Sequence, residues 1–457
     1  TNNFVSFFAT LAYSLKDRYV FNANIRSDAS NRFGQDANKQ FDPTYSFGIS
    51  WRIAEEEFIK NYLPWLNQLN LRATYGIQGN VVNSISPDLI AQYRGIMEGY
   101  GEYYLTISSL PNPLLKWERT KTWNLGLDMQ LFNGITMSFE YYGRRSNAII
   151  NQDIAQEYGM ATMKLNGGRI HNHGIEYSIN LTPYKRKDFA WTIGINASKN
   201  WNKAQNDDVR IKADKLTKDH FLTGSSDRLL KKGYPLSAFW SYSFAGLDPQ
   251  TGYPTFNQID FDEIDPDIDP TTFLVYSGQK DPYFTGGVNT RVRYKSLSLG
   301  VDFSVLLGAK KRLPNPYANF SYGKLPDPYY NLSKDLLKRW QKPGDEKHTI
   351  YPALYTSVED VYNIQLPDGT QSNSIYTMWA NSDAMVVNAS FLRCNQISVS
   401  WNMPTRICSK FGATNCSISA NLNNPFVIGS NRFNGFDPEL GDSVMPKIFS
   451  CGLSVGF

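Results

Sequence analysis

The chain has 457 residues, of which 14% are aromatic and 19% charged, and its net charge near neutral pH is +4. No run of about 18 apolar residues occurs, which excludes a membrane-spanning helix, and so small a charge on this length gives no reason to expect nucleic acid. Low hydropathy does not exclude a membrane. In a transmembrane barrel only alternate residues face lipid, and a tilted strand of ~10 residues crosses.

Residues 3–16 place Val5, Phe7, Ala9, Leu11, Tyr13 and Leu15 on one face and Ser6, Phe8, Thr10, Ala12 and Ser14 on the other. A period of two predicts a strand. A tight turn at Lys16, Asp17 and Arg18 leads into a second alternating run, Tyr19, Phe21, Ala23 and Ile25, so the pair reads as a hairpin. After a polar loop over 31–40, Tyr45, Phe47, Ile49 and Trp51 mark a third strand. Residues 54–68 break the pattern. Acidic residues at their start and Phe58, Tyr62, Trp65 and Leu66 at roughly helical spacing predict a short helix in a turn. Leu71, Ala73, Tyr75 and Ile77 mark the next strand, and 81–119 reads as a long loop rich in Tyr, Gly and Pro.

Trp123, Leu125, Leu127, Met129 and Leu131 then alternate with polar residues up to Phe132-Asn133-Gly134, an Asn-Gly turn signal. Ile135, Met137, Phe139 and Tyr141 return. Ile175, Tyr177, Ile179 and Leu181 pair with Trp191, Ile193, Ile195 and Ala197 around a turn over 183–188. A long insertion with an acidic centre spans 202–282. Val288, Thr290, Val292 and Tyr294 and then Leu297, Leu299, Val301, Phe303, Val305 and Leu307 form a hairpin about Lys295 and Ser296. A second insertion, 309–390, is studded with Pro, Tyr and Trp. Three strands follow, over 391–402, 414–422 and 447–457. The last, KIFSCGLSVGF, alternates Phe449, Cys451, Leu453, Val455 and Phe457 with Ser and Gly. A final amphipathic strand closing on an aromatic is the usual ending of an outer-membrane barrel, and Phe457 reads as its assembly signal.

The predicted class is all-β: a transmembrane antiparallel β-barrel with about thirteen strands in this chain, short and long connections alternating as periplasmic turns and extracellular loops do. Long loops are expected near 79–119, 202–282 and 309–390. With short turns on the periplasmic side, the first strand runs downward from the cell surface and the last ends in the periplasm. Thirteen crossings are odd, whereas single-chain barrels have even counts. A plugged transporter has 22 strands, so about nine more strands and a plug are expected outside this chain. The start, TNNFVSFF, has no signal-peptide features, so Thr1 is not expected to be the biological start.

Several stretches resemble the SusC/RagA family of TonB-dependent outer-membrane transporters of Bacteroidetes. They are DRYVFNANIRSDASNRFG (17–34), LNLRATYGIQGN (69–80), NPLLKWERTKTWNLGLDMQLFNG (112–134), KKGYPLSAFWSYSFAGLDPQTGYP (231–254), ASFLRCNQISVSWNMP (389–404) and GFDPE (435–439). They run in the family's order along almost the whole chain. The resemblance identifies 1–457 as the C-terminal part of such a barrel, in the cell outer membrane and in contact with membrane lipid. It implies active import of an oligosaccharide or peptide. It also implies partners: the N-terminal plug-bearing part, a SusD-like surface lipoprotein acting as a lid, and the TonB complex acting through the plug. Two such paired units can form a dimer. A passive channel, or a barrel anchoring a surface lipoprotein or adhesin complex, remains the alternative.

For substrate contact, the loop aromatics Tyr100, Tyr103, Tyr104, Trp240 and Tyr242, with Tyr317, Tyr322, Tyr329 and Tyr330, offer rings that stack on sugars or grip peptides; girdle, loop packing and lid contact are the competing uses. Lys116, Glu118 and Arg119 in NPLLKWER read as structural, Pro111 and Pro113 fixing the loop's φ and Trp117 anchoring at an interface. His171 and His173 share a strand face above the apolar band but lack a third metal ligand. Asp265, Asp267 and Asp269 alternate as at the start of a calcium loop, but Pro270 and Tyr276 stand where Gly and Glu are wanted, so a solvated acidic loop is expected and calcium is the weaker reading. Cys394, Cys408, Cys416 and Cys451 follow no metal-like spacing and read as small apolar residues. No catalytic triad, phosphate loop or paired-carboxylate site is present, so neither a cofactor nor an enzymatic activity is expected.

Overall fold

The computed structural model describes residues 4–30, 41–82, 85–160, 162–206, 231–257, 274–318, 329, 331–354 and 375–457. Thirteen long strands form one antiparallel sheet in sequence order. They are β1 (Phe4–Leu15), β2 (Tyr19–Ser30), β3 (Phe41–Arg52), β4 (Leu66–Asn80), β5 (Glu118–Leu131), β6 (Ile135–Asp153), β7 (Thr162–Lys185), β8 (Phe189–Ala204), β9 (Phe284–Tyr294), β10 (Leu297–Leu307), β11 (Phe391–Asn402), β12 (Asn415–Ile428) and β13 (Ile448–Gly456). Each pairs only with its neighbours in that order, the simplest route for a chain whose connections are short on one side.

The register turns thirteen alternating patterns into one surface. Ala23 lies opposite both Leu11 and Phe47, Phe47 opposite Tyr75, and Tyr75 opposite Trp123. Farther along, Phe139 meets Tyr177, Ile195 meets Val288, Leu299 meets Val399, and Ile418 meets Leu453. A slip of one residue would turn a strand's apolar set to the other face. The belt is solvent-exposed in the isolated chain, Leu11, Leu125 and Leu453 among its members. Such an area is too large for a water-facing surface and fits hydrocarbon. The opposite face carries Asn24, Arg72, Asn124, Asp128, Glu140, Glu176, Asn196, Asp302 and Asn421.

On the turn side, Lys16 and Asp17 take positive φ (52° and 56°), as a twist-matched hairpin turn requires. At the third hairpin the positive-φ pair is Phe132 and Asn133 (50° and 55°), one residue earlier than an Asn-Gly turn would have it. Phe132 is held there by stacking on Trp65, centroids 5.3 Å apart, and by its N–H donating to the Trp65 carbonyl at 2.9 Å. Tyr19 stacks on Trp51, and Trp401 donates to Ser296 Oγ at 3.1 Å, so aromatic side chains ring this end as they do at a membrane interface. The helix of the second connection is short, Glu57–Tyr62, and β4 begins at Leu66. The residues after Tyr62 join the sheet because Pro64 cannot continue the helix. Glu56 ahead of it accepts from Tyr19 Oη (2.7 Å), Arg18 Nη1 (2.9 Å) and Trp51 Nε1 (3.1 Å), tying two turns together. The Tyr19 hydrogen bond, with Trp51 and Arg18 behind it, holds its carboxyl below the usual glutamate range.

The loop side is not a fringe of irregular chain. β6 and β7 run 19 and 24 residues and continue past the apolar band. The first long loop contains a hairpin, Ile90–Ile96 with Tyr103–Ser109. The two larger insertions pair Ala238–Tyr242 with Leu274–Gln279, Phe244–Leu247 with Pro254–Phe256, and Lys310–Arg312 with Val386–Asn388. The second insertion and the last loop build a hydrophobic core, in which Leu313, Tyr317, Leu336, Tyr376, Trp379, Met385, Val387 and Phe433 are buried, and Phe244, Tyr253 and Phe256 of the first insertion pack against it.

Candidate functional site

The inner wall and the loop-side cap carry the polar and aromatic side chains that the sequence singles out. At the wall's centre Arg72 of β4 donates Nε to Asp128 of β5 at 2.7 Å and Nη2 to Glu140 of β6 at 2.9 Å. Asn124 supports Glu140 and Ser138 supports Asp128. Three strands are cross-linked by one guanidinium whose forked donors match two carboxylates. The group is half-buried and its charges pair with one another, so it reads as a polar brace on the inner wall. A recess beside it is lined by Glu140, Glu176, Ser178, Asn196 and Ser198.

The NPLLKWER stretch is structural throughout. Trp117 is buried with Ile85, Leu115 and Ile149, so it packs inside the loop layer and is not an interface anchor. Its ring fits either place, and the neighbouring apolar residues decide. Glu118 accepts from the Ile149 backbone N–H and from Asn80 Nδ2, both at 3.0 Å. Arg119 pairs with the buried Asp42 at the top of β3. A Cβ at Gly79 would lie 2.4 Å from Asp42 Oδ2, so that glycine is needed for strands and loop to close here. The Lys116 N–H donates to Asn166 Oδ1.

The loop aromatics fall into two groups. Trp240 and Tyr242 lie in the cap's interior, Tyr242 0% exposed. Arg312 reaches the carbonyl of Trp240 and Oγ of Ser241, at 3.0 and 2.9 Å, and burial pushes the Tyr242 phenol far above its ordinary range. Tyr317 is buried as well and donates to the Pro352 carbonyl at 2.6 Å; it meets Trp379 edge-on at 5.4 Å. Burial raises the Tyr351 phenol to about 12. The other group is open. On the first hairpin Tyr100 and Tyr103 are 78% and 71% exposed, Tyr93 stands 5.8 Å from Tyr103, and Tyr104 is half-buried. Tyr329 is exposed; Tyr322, Tyr330 and the acidic run 260–270 lie outside the described residues.

The GFDPE stretch is a lock that pattern alone does not reveal. Arg393 of β11, nearly buried, pairs with both Asp437 and Glu439, and Lys311 donates to the Glu439 carbonyl. The last loop is thereby fixed to the wall and to the cap. A lone acidic pair in a loop reads as solvated; only the tertiary fold, which brings Arg393 beside it, shows otherwise. His171 and His173 lie on the apolar side of β7, beyond the band, with His173 stacked on Trp201 at 5.1 Å. No cluster of three His, Cys, Asp or Glu side chains with metal-binding geometry occurs among the described residues. The cysteines carry free thiols; Cys408 and Cys416 share a small core with Ala413 and Met403, and Cys451 faces outward with the belt.

An amphipathic strand wall with a polar inner face and a packed cap on one side defines a β-barrel of the membrane-spanning class. A family model described as "TonB dependent receptor-like, beta-barrel" matches residues 1–309, and the chain belongs to that family. The TonB-dependent receptor SusC of Bacteroides thetaiotaomicron is 28% identical over 480 residues, which cover 100% of this chain and 44% of the relative. TonB-dependent receptor P3 of Formosa agariphila is 25% identical over 456 residues, or 95% of this chain and 42% of the relative. The chain thus spans under half the length of these relatives. Among solved structures, the RagAB peptide importer in its "open-open" state superposes with a TM-score of 0.76 at 23% identity, covering 100% of this chain and 47% of that one, a likeness of fold.

Proposed function

We propose that the chain is the C-terminal barrel portion of a TonB-dependent outer-membrane importer of a nutrient, an oligosaccharide or a peptide. The observation that carries the reading is the belt: thirteen strands in one register, apolar outside and polar inside, under a packed cap. Because β1 and β13 are not paired with each other, closure in lipid needs further strands against both, since an unpaired edge leaves backbone N–H and C=O groups without partners there. A plug-bearing N-terminal part supplies them and takes the pull of TonB. The long loops face the cell surface, where a SusD-like lipoprotein covers the cap. The membership in a receptor family and the likeness to SusC and RagAB support this assembly.

Within the cap, Tyr100 and Tyr103 are assigned to contact with the solute, because their rings are accessible, with the half-buried Tyr104 beside them. Trp240 and Tyr242 shape the surface from behind. Deleting TonB in the native host while measuring uptake tests the reading. Loss of uptake supports an importer, and unchanged uptake overturns it in favour of a passive channel. In the same assay Tyr100→Ala with Tyr103→Ala is expected to raise the half-saturating concentration about tenfold while the amount of folded protein stays level.

A further inference from the structure

On the outer face, beyond the apolar belt, lies a cluster of cations that importing a solute does not use. Outward positions of β8 run Trp191, Ile193, Ile195, Ala197, Lys199, Trp201 and Lys203, and β8 pairs with β9 without a bulge, so they share one face. Trp191 sits at the turn-side aromatic ring. Ten residues separate it from Trp201. At ~3.4 Å per residue and ~40° of tilt this is about 26 Å, the height of a barrel's apolar band. Trp201 therefore marks the other interface, with His173 stacked on it and Lys199 Nζ 4.8 Å above its ring.

Lys203, the next outward position of β8, lies about 5 Å farther along the normal than Trp201, at the depth of lipid headgroups, in a cross-strand row inclined by the strand tilt. In it Arg145 of β6 is directly opposite His171 of β7, and His171 is directly opposite Lys203 of β8. Arg169 is one outward position farther on β7, opposite Asn147. The recess between these strands is lined by Arg145, Asn147, Arg169, His171, Gln205 and Lys232. Arg145, Arg169 and Lys203 are exposed, and none of them makes an ion pair among the described residues. Arg145 and Lys203 stand two strand spacings apart, about 10 Å.

We propose that this row binds the phosphate-bearing headgroup of a glycolipid in the outer leaflet, with Arg145 and Lys203 gripping the phosphate from either side and Arg169 reaching it from above. The lipid is the occupant because the row lies on the lipid-facing side and directly beyond the interfacial Trp201. An acyl chain below such a headgroup would run down the belt past Tyr177 and Ala197. A guanidinium matches phosphate with two parallel donors, and basic pockets at this depth collect lipid headgroups. The proposal rests on the outer-membrane orientation given above.

Native mass spectrometry of the complete transporter in detergent tests it, with a lipid-A-type phosphoglycolipid, its dephosphorylated form and inorganic phosphate as probes. The phosphoglycolipid is expected to remain bound to the wild-type protein and the dephosphorylated form to be lost. Arg145→Glu with Lys203→Glu is expected to weaken retention about tenfold or more. Lys185→Glu with Lys187→Glu, the same charge change at the turn side, is expected to leave it unchanged. Equal retention of the dephosphorylated lipid, equal loss in both double variants, or binding of phosphate alone overturns the site. Heat-modifiable migration of the unboiled protein, the mark of a folded barrel, separates the two levels. A heat-modifiable barrel without the phosphate-dependent adduct overturns the lipid site alone, and a protein that is neither heat-modifiable nor recovered in the outer membrane overturns the barrel reading with it.

Discussion

The sheet and the cap solve opposite problems with similar residues. In the sheet, Leu125, Phe47 and Leu453 point outward and are exposed, each strand contributing one short stripe. In the cap, Trp379, Tyr242 and Phe433 are buried among residues drawn from segments more than a hundred positions apart. The sheet is thus held by register, backbone pairing and the solvent around it. The cap is held as a water-soluble domain is, by close packing and by hydrogen bonds on the buried polar ends of its rings. Substitutions that damage one region should spare the other.

The largest expected effect is in the cap. Trp379→Ala removes a fully buried ring and the hydrogen bond from its Nε1 to the Ile350 carbonyl (2.9 Å). It should cost about 3–5 kcal/mol of cap stability, seen as protease cleavage of the loops in a barrel that is still heat-modifiable. Loss of the whole barrel would show that the two regions are one cooperative unit. The sheet comes next. Leu127 lies mid-belt, opposite Leu71 and Phe139. Leu127→Arg should cost about 2–4 kcal/mol in lipid, measured by reversible unfolding into bilayers, with the cap's protease pattern unchanged. The smallest effect is at the turns. The Glu56 carboxyl titrates below the usual glutamate range in the folded chain. Its stabilising effect is therefore complete above that range and is lost as the pH falls through the lowered value. Thermal unfolding of wild type between pH 7 and pH 3 should show this loss, and Glu56→Gln should flatten it.

The same contrast explains what could be read in advance. β1, β2, β8, β9, β10 and β13 are plain in the sequence because lipid on one side and water on the other impose a period of two. β6 and β7 are read too short because, past the interface, their outward positions carry Arg145, His171 and Arg169 and the apolar alternation stops while the backbone pairing continues. The cap's order is hidden for another reason. Its strands are three to seven residues long, too short for a clear period, and its core joins Leu313 to Tyr376 and Phe433 by tertiary contact alone. Trp117 shows the limit within one residue, since a Trp beside a strand end suits an interface or a core equally well. The Arg393 lock joins a strand to a loop outside any register, so only the tertiary fold shows its partners.

Accessibility along β5 tests the central claim most directly. Nitroxide labels placed singly at residues 123–129 in the bilayer-embedded protein are read for collision with oxygen, which concentrates in lipid, and with a water-soluble nickel chelate. The account predicts strict alternation: oxygen-accessible at Trp123, Leu125, Leu127 and Met129, chelate-accessible at Asn124, Gly126 and Asp128. Loss of that period, or chelate access on both faces, would contradict a lipid-facing belt.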